Sequence, residues 1–403
     1  MSRAVPVPRP AEGRYSDSVA TRRRTTLLIG LVALSRALIL EIGAIAFVYL
    51  PKAYPMLVPG YSPARGGFWF NVLLAPWAHW DGYWYLSIAR FGYAVKESAA
   101  FFPLYPLLVH VLGDNLIVAL LLSTVAFAAG SWVLYQLAAE EAGKRAAWFA
   151  VVALAFFPVS YYFTSAYPEA LVLVLSTASL LMARRGRFGW AAVLAGITSA
   201  ASVYGVLLAV PIVLYMWRRR RPLTSYLWVA AVPAGVIGFM VKLYFTFNNP
   251  LMFKAVQHPY WGRRFIMPWL TLYQGVRQAY VFFRNFSSYP HLFSLGAPGN
   301  TISNVWNIVF FAFGVFLLII GRRYLSWPLW CYSALVLTVP FLYPASGVPF
   351  MSAPRFLLAG SPLFIVLGGY IMERPWALRI YMAASLLIGA LLISLFATYH
   401  WVA

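Results

Sequence analysis

The sequence predicts an all-α membrane protein that crosses the bilayer several times. Hydrophobic residues fill 62% of its 403 positions and charged residues only 10%, which is far more apolar than an average soluble domain. Apolar runs of about 20 residues, long enough to cross a bilayer as a helix, recur along the chain. Basic clusters stand at the ends of these runs, as at the cytoplasmic ends of membrane spans. These observations favour a polytopic helical bundle over a soluble fold.

The basic residues indicate a membrane partner rather than a nucleic acid. Lys and Arg total 31 against 10 Asp and Glu, a formal net charge of +21. Such an excess suits either nucleic acid or anionic lipid. The clusters border apolar runs instead of forming one groove, so we expect no nucleic-acid partner. They lie at residues 22–24, 144–145, 184–187, 218–221 and 322–323.

The chain is predicted to form one domain behind a short tail. Residues 1–25 are rich in Pro, Arg and Ser and lack apolar periodicity, which predicts a disordered cytosolic tail. Residues 26–403 form the single transmembrane domain. The first apolar run is too long for the core of a secretory signal and is followed by no cleavage pattern, so it is predicted to be a membrane span.

About eleven membrane segments are predicted, with the N-terminus inside and the C-terminus outside. Residues 190–217 lie between two basic clusters, so two short helices broken near residues 199–205 keep both clusters inside. The topology places three stretches on the external face: 51–114, 248–302 and 344–354. The other segments are predicted near 26–50, 115–138, 146–163, 167–183, 223–247, 303–320, 327–343, 355–372 and 378–399.

The stretch "HWDGYWYLSIARFGYAV", residues 79–95, holds the first candidate for chemistry. Its aromatic residues recur at helical spacing, which predicts an interfacial helix with an aromatic belt in the first external loop. Asp81 falls at the edge of that apolar stripe. It could be the helix N-cap, but a carboxylate bordered by indoles at a membrane is costly and indicates a functional site. Trp80 and Tyr85 are predicted to contact substrate.

Two further segments supply an acid and several external cations. Glu169 opens a span at its external end, where it either stabilises the helix dipole or belongs to the site. The second external loop carries four basic side chains against the topological bias, which favours a phosphate ligand or anionic headgroups. Arg355 begins a later span on the same side and could reach the same anion. The four basic residues of the loop are Lys254, His258, Arg263 and Arg264.

The order of these motifs resembles the PIG-V-like mannosyltransferases, membrane glycosyltransferases of the GT-C fold class. The resemblance extends from Arg36 to about Leu367, and its first two motifs in tandem are the most specific. The chain departs from the family pattern at Ser202, Val203 and Tyr204, where members often carry an arginine. The motifs are "WDGYWYLSIARFGY", "FFPLYPLL", "SAYPEALVLVLS", "NNPLMFKAVQHPYWGRR" and "SAPRFLLAGSPLF".

The resemblance implies a GT-C fold, a polyprenyl-phosphate or dolichyl-phosphate mannose donor, a site on the non-cytoplasmic face and inversion at the anomeric carbon. In this pattern Asp81 matches the catalytic base. Glu169 and Arg355 match residues expected to contact substrate. The resemblance does not identify the acceptor, which could be a glycolipid, a glycan or a protein. A compact Arg-rich chain favours a prokaryotic plasma membrane, although an endoplasmic reticulum location would follow the same topology.

The chemistry of the residues agrees with such a transferase. One carboxylate suffices as a base in a direct displacement, and cations can stabilise a phosphate leaving group. Because Tyr83 stands where an Asp-x-Asp pair would need its second acid, we expect no metal and no other cofactor. Two alternatives remain: a GT-C transferase using another lipid-phosphate sugar, and a lipid-linked sugar flippase or transporter, although neither repeats nor charge-lined spans are evident.

Overall fold

The computed structural model describes residues 10–53, 58–59, 66–284 and 301–402, with side chains from residue 25 onward except 301–302. Residues 1–9 of the predicted tail, and 54–57, 60–65 and 285–300 of the two predicted external loops, lie outside this part. The described residues are helical, with two isolated β-bridges and no strand. The helices are α1 Pro10–Tyr49, α2 Phe68–Leu73, α3 Asp81–Phe91, α4 Leu104–Leu112, α5 Leu116–Ala142, α6 Lys144–Ala155, α7 Glu169–Arg184, α8 Phe188–Ser199, α9 Tyr204–Leu207, α10 Ala209–Arg218, α11 Ala234–Phe247, α12 Met252–Ala255, α13 Gln257–Trp261, α14 Pro268–Arg284, α15 Thr301–Gly321, α16 Trp327–Leu342, α17 Ala353–Ala359, α18 Pro362–Glu373 and α19 Pro375–Ala397.

Five helical segments in this part of the chain are long and apolar enough to cross a membrane. The bent pair α17 and α18 makes a sixth if it counts as one span. The chain is therefore an integral membrane protein with several apolar helices. The remaining predicted segments are present as shorter or broken helices, so the structure does not establish the count of about eleven. The five are Thr25–Tyr49, Leu116–Ala142, Leu223–Phe247, Ser303–Gly321 and Pro375–Ala397.

Helix α1 starts earlier than the predicted first span, and one predicted helix break is observed. Helix α1 begins at Pro10, so the backbone shows no change at residue 25, where the tail was predicted to end. The sequence after Pro10 contains good helix formers and no further proline before the first span, which allows the helix to continue. The predicted break within residues 190–217 is observed, because α8 ends at Ser199 and α9 starts at Tyr204.

The segment predicted as one span at 146–163 is a broken helix. Helix α6 has 12 residues and ends at Ala155, so it is about 18 Å long and cannot cross a bilayer alone. Pro158 follows, and proline cannot donate the backbone hydrogen bond that would continue the helix. The chain then forms a short 3-10 turn at Ser160–Phe163.

Buried Arg36 satisfies the carbonyl groups that this break leaves free. Arg36 lies within the first span and is 5% exposed. Its guanidinium donates to the carbonyl oxygens of Ala155 at 2.9 Å and Ser160 at 2.6 Å and to the hydroxyl of Thr164 at 3.0 Å. The same group stacks over the Phe127 ring at 4.4 Å. The partners of this intramembrane arginine are thus neutral oxygen atoms near the end of α6, where the helix dipole favours a cation.

Helix α18 is also short, and it packs closely against α6. A Cβ atom on Gly368 would lie 2.6 Å from the backbone nitrogen of Ala150 and would also contact the carbonyl oxygen of Ala146. Glycine is therefore required for these two backbones to approach each other. Helix α18 joins α17 at an 87° bend, next to Pro362. This bend turns the short helix α17 into the site described below.

Candidate functional site

Two acids and one arginine, far apart in the sequence, meet at one end of the helical bundle. Arg355 Nη1 donates to Asp81 Oδ2 at 2.6 Å. Arg355 Nε and Nη2 contact Glu169 Oε1 at 2.8 and 2.6 Å. The guanidinium thus bridges the two carboxylates, a geometry that a planar group with several N–H donors supplies. The sequence predicted each of these residues separately, and the structure brings all three together.

The cluster is shielded from solvent and lined by aromatic rings. The side chains of Asp81, Glu169 and Arg355 are 22%, 12% and 15% exposed. The guanidinium of Arg355 lies 5.0 Å from the ring centres of both Tyr162 and Tyr167. Such cation–π contacts strengthen when water is excluded. Arg355 is therefore fixed on several sides, while the remaining oxygen of Glu169, Oε2, is buried without a described partner.

The chain around Asp81 is held by hydrogen bonds to the segment that precedes Glu169. The Tyr167 hydroxyl donates to the carbonyl oxygen of His79 at 2.8 Å. A Cβ atom on Gly82 would lie 3.3 Å from the Tyr167 ring, so only a small residue lets the two segments approach this closely. The two acids begin their helices, α3 and α7, where helix dipoles favour negative charge.

Helix α3, predicted to be interfacial, is mostly buried within the protein. Every residue from Gly82 to Ala89 is buried. The ring of Trp84 packs against Phe101 and Trp261, at 5.6 and 6.3 Å between ring centres. Protein therefore covers most of the apolar stripe, although Phe91 at the end of the helix is 52% exposed. Nor is Asp81 the N-cap, since α3 starts at Asp81 itself and its side chain pairs with Arg355.

Strained backbone precedes both Asp81 and Arg355. Trp80 has a φ of 56° and Ser352 a φ of 70°, in a region that residues other than glycine rarely adopt. The Trp80 ring packs on Trp401 at 4.8 Å between centres, which helps to hold this conformation. Strain of this kind costs roughly 1–3 kcal/mol and tends to occur at functional sites.

Arg263 lies near the cluster and connects two of the predicted external stretches. Its Nη1 donates to the Tyr343 carbonyl at 3.3 Å and its Nη2 to the Met351 carbonyl at 3.2 Å, and its guanidinium lies 5.6 Å from the ring centre of Phe356. Burial and, to a smaller degree, the charge of Arg355 lower the pKa of Arg263 to about 10, whereas Tyr204 and Asp81 partly offset this effect. Arg263 is thus still charged at neutral pH.

The other predicted residues lie in different surroundings. Lys254, His258 and Arg264 are exposed, and none of them pairs with an acid within the described ranges. Tyr85 is 6% exposed and lies beside the cluster, since its ring is 6.3 Å from that of Tyr167 and also packs against Phe101 and Tyr105. Trp80 is half-buried, and its indole N–H has no partner in the described structure.

Tyr204 is a site residue that the sequence did not single out as functional. Its ring contacts Phe356 at 5.7 Å between centres, beside Arg355. Its hydroxyl is buried without a partner among the described residues. The sequence feature that could have identified Tyr204 is the departure from the family pattern, because Tyr204 lies in the segment where members often carry an arginine. A buried hydroxyl lacking a partner next to two arginines indicates a place where a polar ligand could bind.

The arrangement can accept a proton and stabilise an anion. Arg355 engages one oxygen of Asp81, which leaves its other oxygen available to a substrate hydroxyl. Arg263, which forms no ion pair among the described residues, adds positive charge to this partly desolvated region, and Arg355 presents N–H donors there, so both can stabilise a leaving group. Proton acceptance and anion stabilisation are the two tasks that displacement of a phosphate-linked group requires.

Known proteins provide independent comparisons. No protein-family model matches the sequence. Among solved structures, ArnT from Cupriavidus metallidurans bound to undecaprenyl phosphate aligns with a TM-score of 0.47 and 16% identity, over 89% of this chain and 63% of ArnT. The Archaeoglobus fulgidus oligosaccharyltransferase AglB, in complex with an inhibitory peptide and a dolichol-phosphate, aligns with a TM-score of 0.39 and 12% identity, over 91% of this chain and 56% of AglB.

Two curated relatives share sequence with part of the chain. The GPI mannosyltransferase 2 of Drosophila pseudoobscura pseudoobscura is 27% identical over 175 residues, 38% of this chain and 39% of the relative. That of Drosophila melanogaster is 29% identical over 157 residues, 34% of each protein. The chain thus spans between a third and two fifths of the relatives' length. Over this part, it is similar to GPI mannosyltransferase 2 proteins, which confirms the predicted resemblance to the PIG-V-like mannosyltransferases.

Proposed function

We propose that the protein is an inverting membrane glycosyltransferase of the GT-C fold class, which transfers mannose from a polyprenyl-phosphate or dolichyl-phosphate donor to an acceptor hydroxyl on the non-cytoplasmic face. The observation that carries the proposal is the cluster in which Arg355 bridges Asp81 and Glu169. The similarity to GPI mannosyltransferases supports the sugar. A glycolipid acceptor follows from the same similarity, with glycans and proteins as alternatives.

Asp81 acts as the general base in the proposed reaction. It takes the proton from the acceptor hydroxyl as that oxygen attacks the anomeric carbon of the donor sugar. The bond between the anomeric carbon and the phosphate oxygen breaks, and the lipid phosphate leaves with the bonding electrons. Because the leaving group is already a stabilised anion, no second acid is needed to protonate it, unlike in a glycosidase.

The two arginines neutralise the departing phosphate, and Glu169 acts as a positioning residue. Arg355 lies against Asp81, so a phosphate bound to its outer N–H groups would place the reacting carbon beside the base. Arg263 adds a second cation on the same side. Glu169 engages two nitrogen atoms of Arg355 and keeps the guanidinium plane turned toward Asp81. The reaction needs no metal ion.

Replacing the base tests the proposal directly. Asp81→Asn keeps the shape of the side chain but cannot accept a proton, so transfer should fall by roughly 100-fold to 10,000-fold. The measurement is transfer of radiolabelled mannose from polyprenyl-phosphate mannose by the purified protein. Glu97→Gln is the matched control, since it removes an acid from the same loop outside the cluster, and it should stay near wild type. Activity of Asp81→Asn within threefold of wild type would rule out Asp81 as the general base.

A donor screen tests the substrate class. Purified wild-type protein is offered polyprenyl phosphates that carry mannose, glucose, arabinose or an aminosugar, and consumption of each is followed. Preferential consumption of the mannosyl lipid is the expected result. Preference for another sugar would support the transferase activity but contradict mannose as the donor sugar. Movement of the intact donor across a vesicle membrane without release of lipid phosphate would show that the protein is a flippase and not a transferase.

A further inference from the structure

A second polar cluster lies at the opposite end of the bundle from Asp81. Helix α7 connects the two ends, since it starts at Glu169 and finishes at Arg184 after 16 residues, about 24 Å away. There, helices α5, α7 and α10 end and α16 begins around an open cleft of about 830 Å³. This volume lies in the range of small-molecule sites. The cleft is lined by Glu140, Glu141, Arg184, Arg185, Tyr215, Arg218, Arg219 and Ser326.

The two acids of this cleft are already paired. The Glu141 carboxylate, whose side chain is 4% exposed, accepts from Arg184 and from the backbone N–H of Ser326. Glu140 pairs with Arg185 at 2.8 Å and with Arg184 at 3.4 Å. These interactions tie the end of α5 to the end of α7. The acids therefore hold two of the arginines in place and have no charge left for the others.

Arg218 and Arg219 remain without an acidic partner in the part of the chain that the structure describes. Arg219 donates to the backbone carbonyl of Arg184, which carries no net charge. The lining thus holds four arginines against two acids, an excess of two positive charges. The dipoles of the helices that end here favour cations. They do not, however, provide hydrogen-bond acceptors for the N–H groups of the guanidinium groups. A ligand with acceptor oxygens and negative charge would satisfy them.

Exposed tryptophans lie close in sequence to the residues that line the cleft and indicate its depth in the membrane. Trp190 at the start of α8, Trp217 near the end of α10 and Trp327 at the start of α16 are 66%, 68% and 49% exposed. Tryptophan is enriched at the level of the lipid headgroups, where its ring is half in apolar surroundings. Trp217 directly precedes Arg218 and Arg219, the two arginines without an acidic partner among the described residues, and Trp327 directly follows Ser326. The unpaired cations therefore lie at the depth of lipid phosphates.

We propose that this cleft binds the phosphate group of an anionic membrane lipid. Arg218 and Arg219 contact the phosphate oxygens. The hydroxyl groups of Tyr215 and Ser326, 2.9 Å apart, stand in the same lining for the polar part of the headgroup. The site is separate from the cluster around Asp81 and does not depend on the proposed transferase activity. The bound lipid phosphate links the ends of α5, α7, α10 and α16. Without it, the ion pairs of Glu140 and Glu141 are among the polar contacts that hold these ends together.

Lipid retention by the purified full-length protein tests the site. Native mass spectrometry is run after titration with phosphatidylglycerol, with phosphatidylcholine and with inorganic phosphate. The double variant Arg218→Gln/Arg219→Gln should lower the apparent affinity for phosphatidylglycerol on the order of tenfold or more. The control Lys144→Gln/Arg145→Gln removes the same charge from exposed positions at the same end, outside the cleft. It should bind like wild type.

Each result decides for or against the lipid site. Selective retention of phosphatidylglycerol over phosphatidylcholine, lost only in the cleft variant, supports it. Equal losses in both variants would mean general surface attraction and overturn it, as would equal binding of the two lipids. Saturation by inorganic phosphate with no lipid preference would mean a free-anion site. Because Arg218 makes no ion pair among the described residues, Arg218→Gln alone repeats the test with the helix ends intact if the double variant unfolds.

Discussion

At the residue scale, Arg355 determines how the candidate site is organised. It binds two carboxylates through three nitrogen atoms and lies against two tyrosine rings. A lysine could keep the charge but not this set of directed contacts, because its ammonium is a point charge on a flexible stem. Geometry at this position should therefore matter more than charge.

We predict that Arg355→Lys lowers kcat/KM for the lipid-phosphate donor by roughly 30-fold, the equivalent of about 2 kcal/mol. The KM for the donor should rise more than the KM for the acceptor, because the arginine is proposed to contact the phosphate. Steady-state kinetics of the purified variant measures both. Arg145→Lys, at an exposed position near the other end, is the control and should change neither. An unchanged donor KM in Arg355→Lys would contradict the role in phosphate binding.

The sequence could predict the members of the site but not their pairing. Asp81 stood out as an acid among indoles, and Glu169 and Arg355 stood out as charges at the starts of spans. Arg355 and Asp81 are 274 residues apart, so no local pattern could show that they touch. Helical phase placed Asp81 on a lipid-facing stripe, whereas the structure covers α3 with protein. Periodicity identifies the apolar face of a helix but not what covers it.

At the element scale, the short helices α6 and α18 form a closely packed pair. Their contact depends on Gly368, where a side chain would collide with the backbone of α6 at Ala146 and Ala150. Backbone atoms cannot move aside as the end of a flexible side chain can. The pair supports the bend that carries α17 and Arg355 to the site.

Gly368→Ala should therefore destabilise the protein by about 1–3 kcal/mol, because the added methyl group overpacks the interface. Thermal unfolding of the detergent-solubilised variant measures this change, and activity should fall with it if α17 moves. Gly238→Ala in α11 is the matched control, since an added Cβ there has nothing within 4 Å. Its better helix propensity should leave stability unchanged or slightly higher. Equal unfolding temperatures for the two variants would contradict the close packing.

Hydropathy predicted where the apolar segments lie but not how many are continuous. The segments near 146–163 and 355–372 are mainly apolar, yet the helix of the first ends at Ala155 and the second bends by 87°. Pro158 and Pro362 were the visible signals, since each removes a backbone donor. A proline can kink a helix or end it, depending on which groups bind the carbonyl oxygens that lose their helical partner. Here Arg36 binds those of Ala155 and Ser160, and this distant contact cannot be read from the local hydropathy of the sequence.

At the scale of the whole molecule, the two polar ends of the bundle differ in charge and in chemistry. One end holds the paired acids and Arg355, and the other holds the arginine-rich cleft. The positive-inside bias predicts that the cleft end is cytoplasmic and that the site is external. This orientation follows from the distribution of charge along the sequence.

The orientation can be tested with single cysteines in a Cys331→Ser background. Lys254→Cys should react with a membrane-impermeant maleimide in intact cells, because this exposed position lies in the second predicted external loop. Lys144→Cys, exposed at the start of α6, should react only after the cells are permeabilised. The reverse pattern would invert the topology and place the proposed chemistry on the cytoplasmic face.

The position of Arg36 also has a consequence for the order of events during synthesis. Apart from the hydroxyl of the neighbouring Ser35, the oxygen atoms that accept its hydrogen bonds belong to residues 119 to 128 positions later in the chain. At translation rates of about 5–20 residues per second, the first span exists for roughly 6 to 26 s before these acceptors are made. During that interval the guanidinium lacks every one of these acceptors except the Ser35 hydroxyl. The contacts that hold Arg36 in the finished bundle therefore form only after the end of α6 and the turn that follows it have been made.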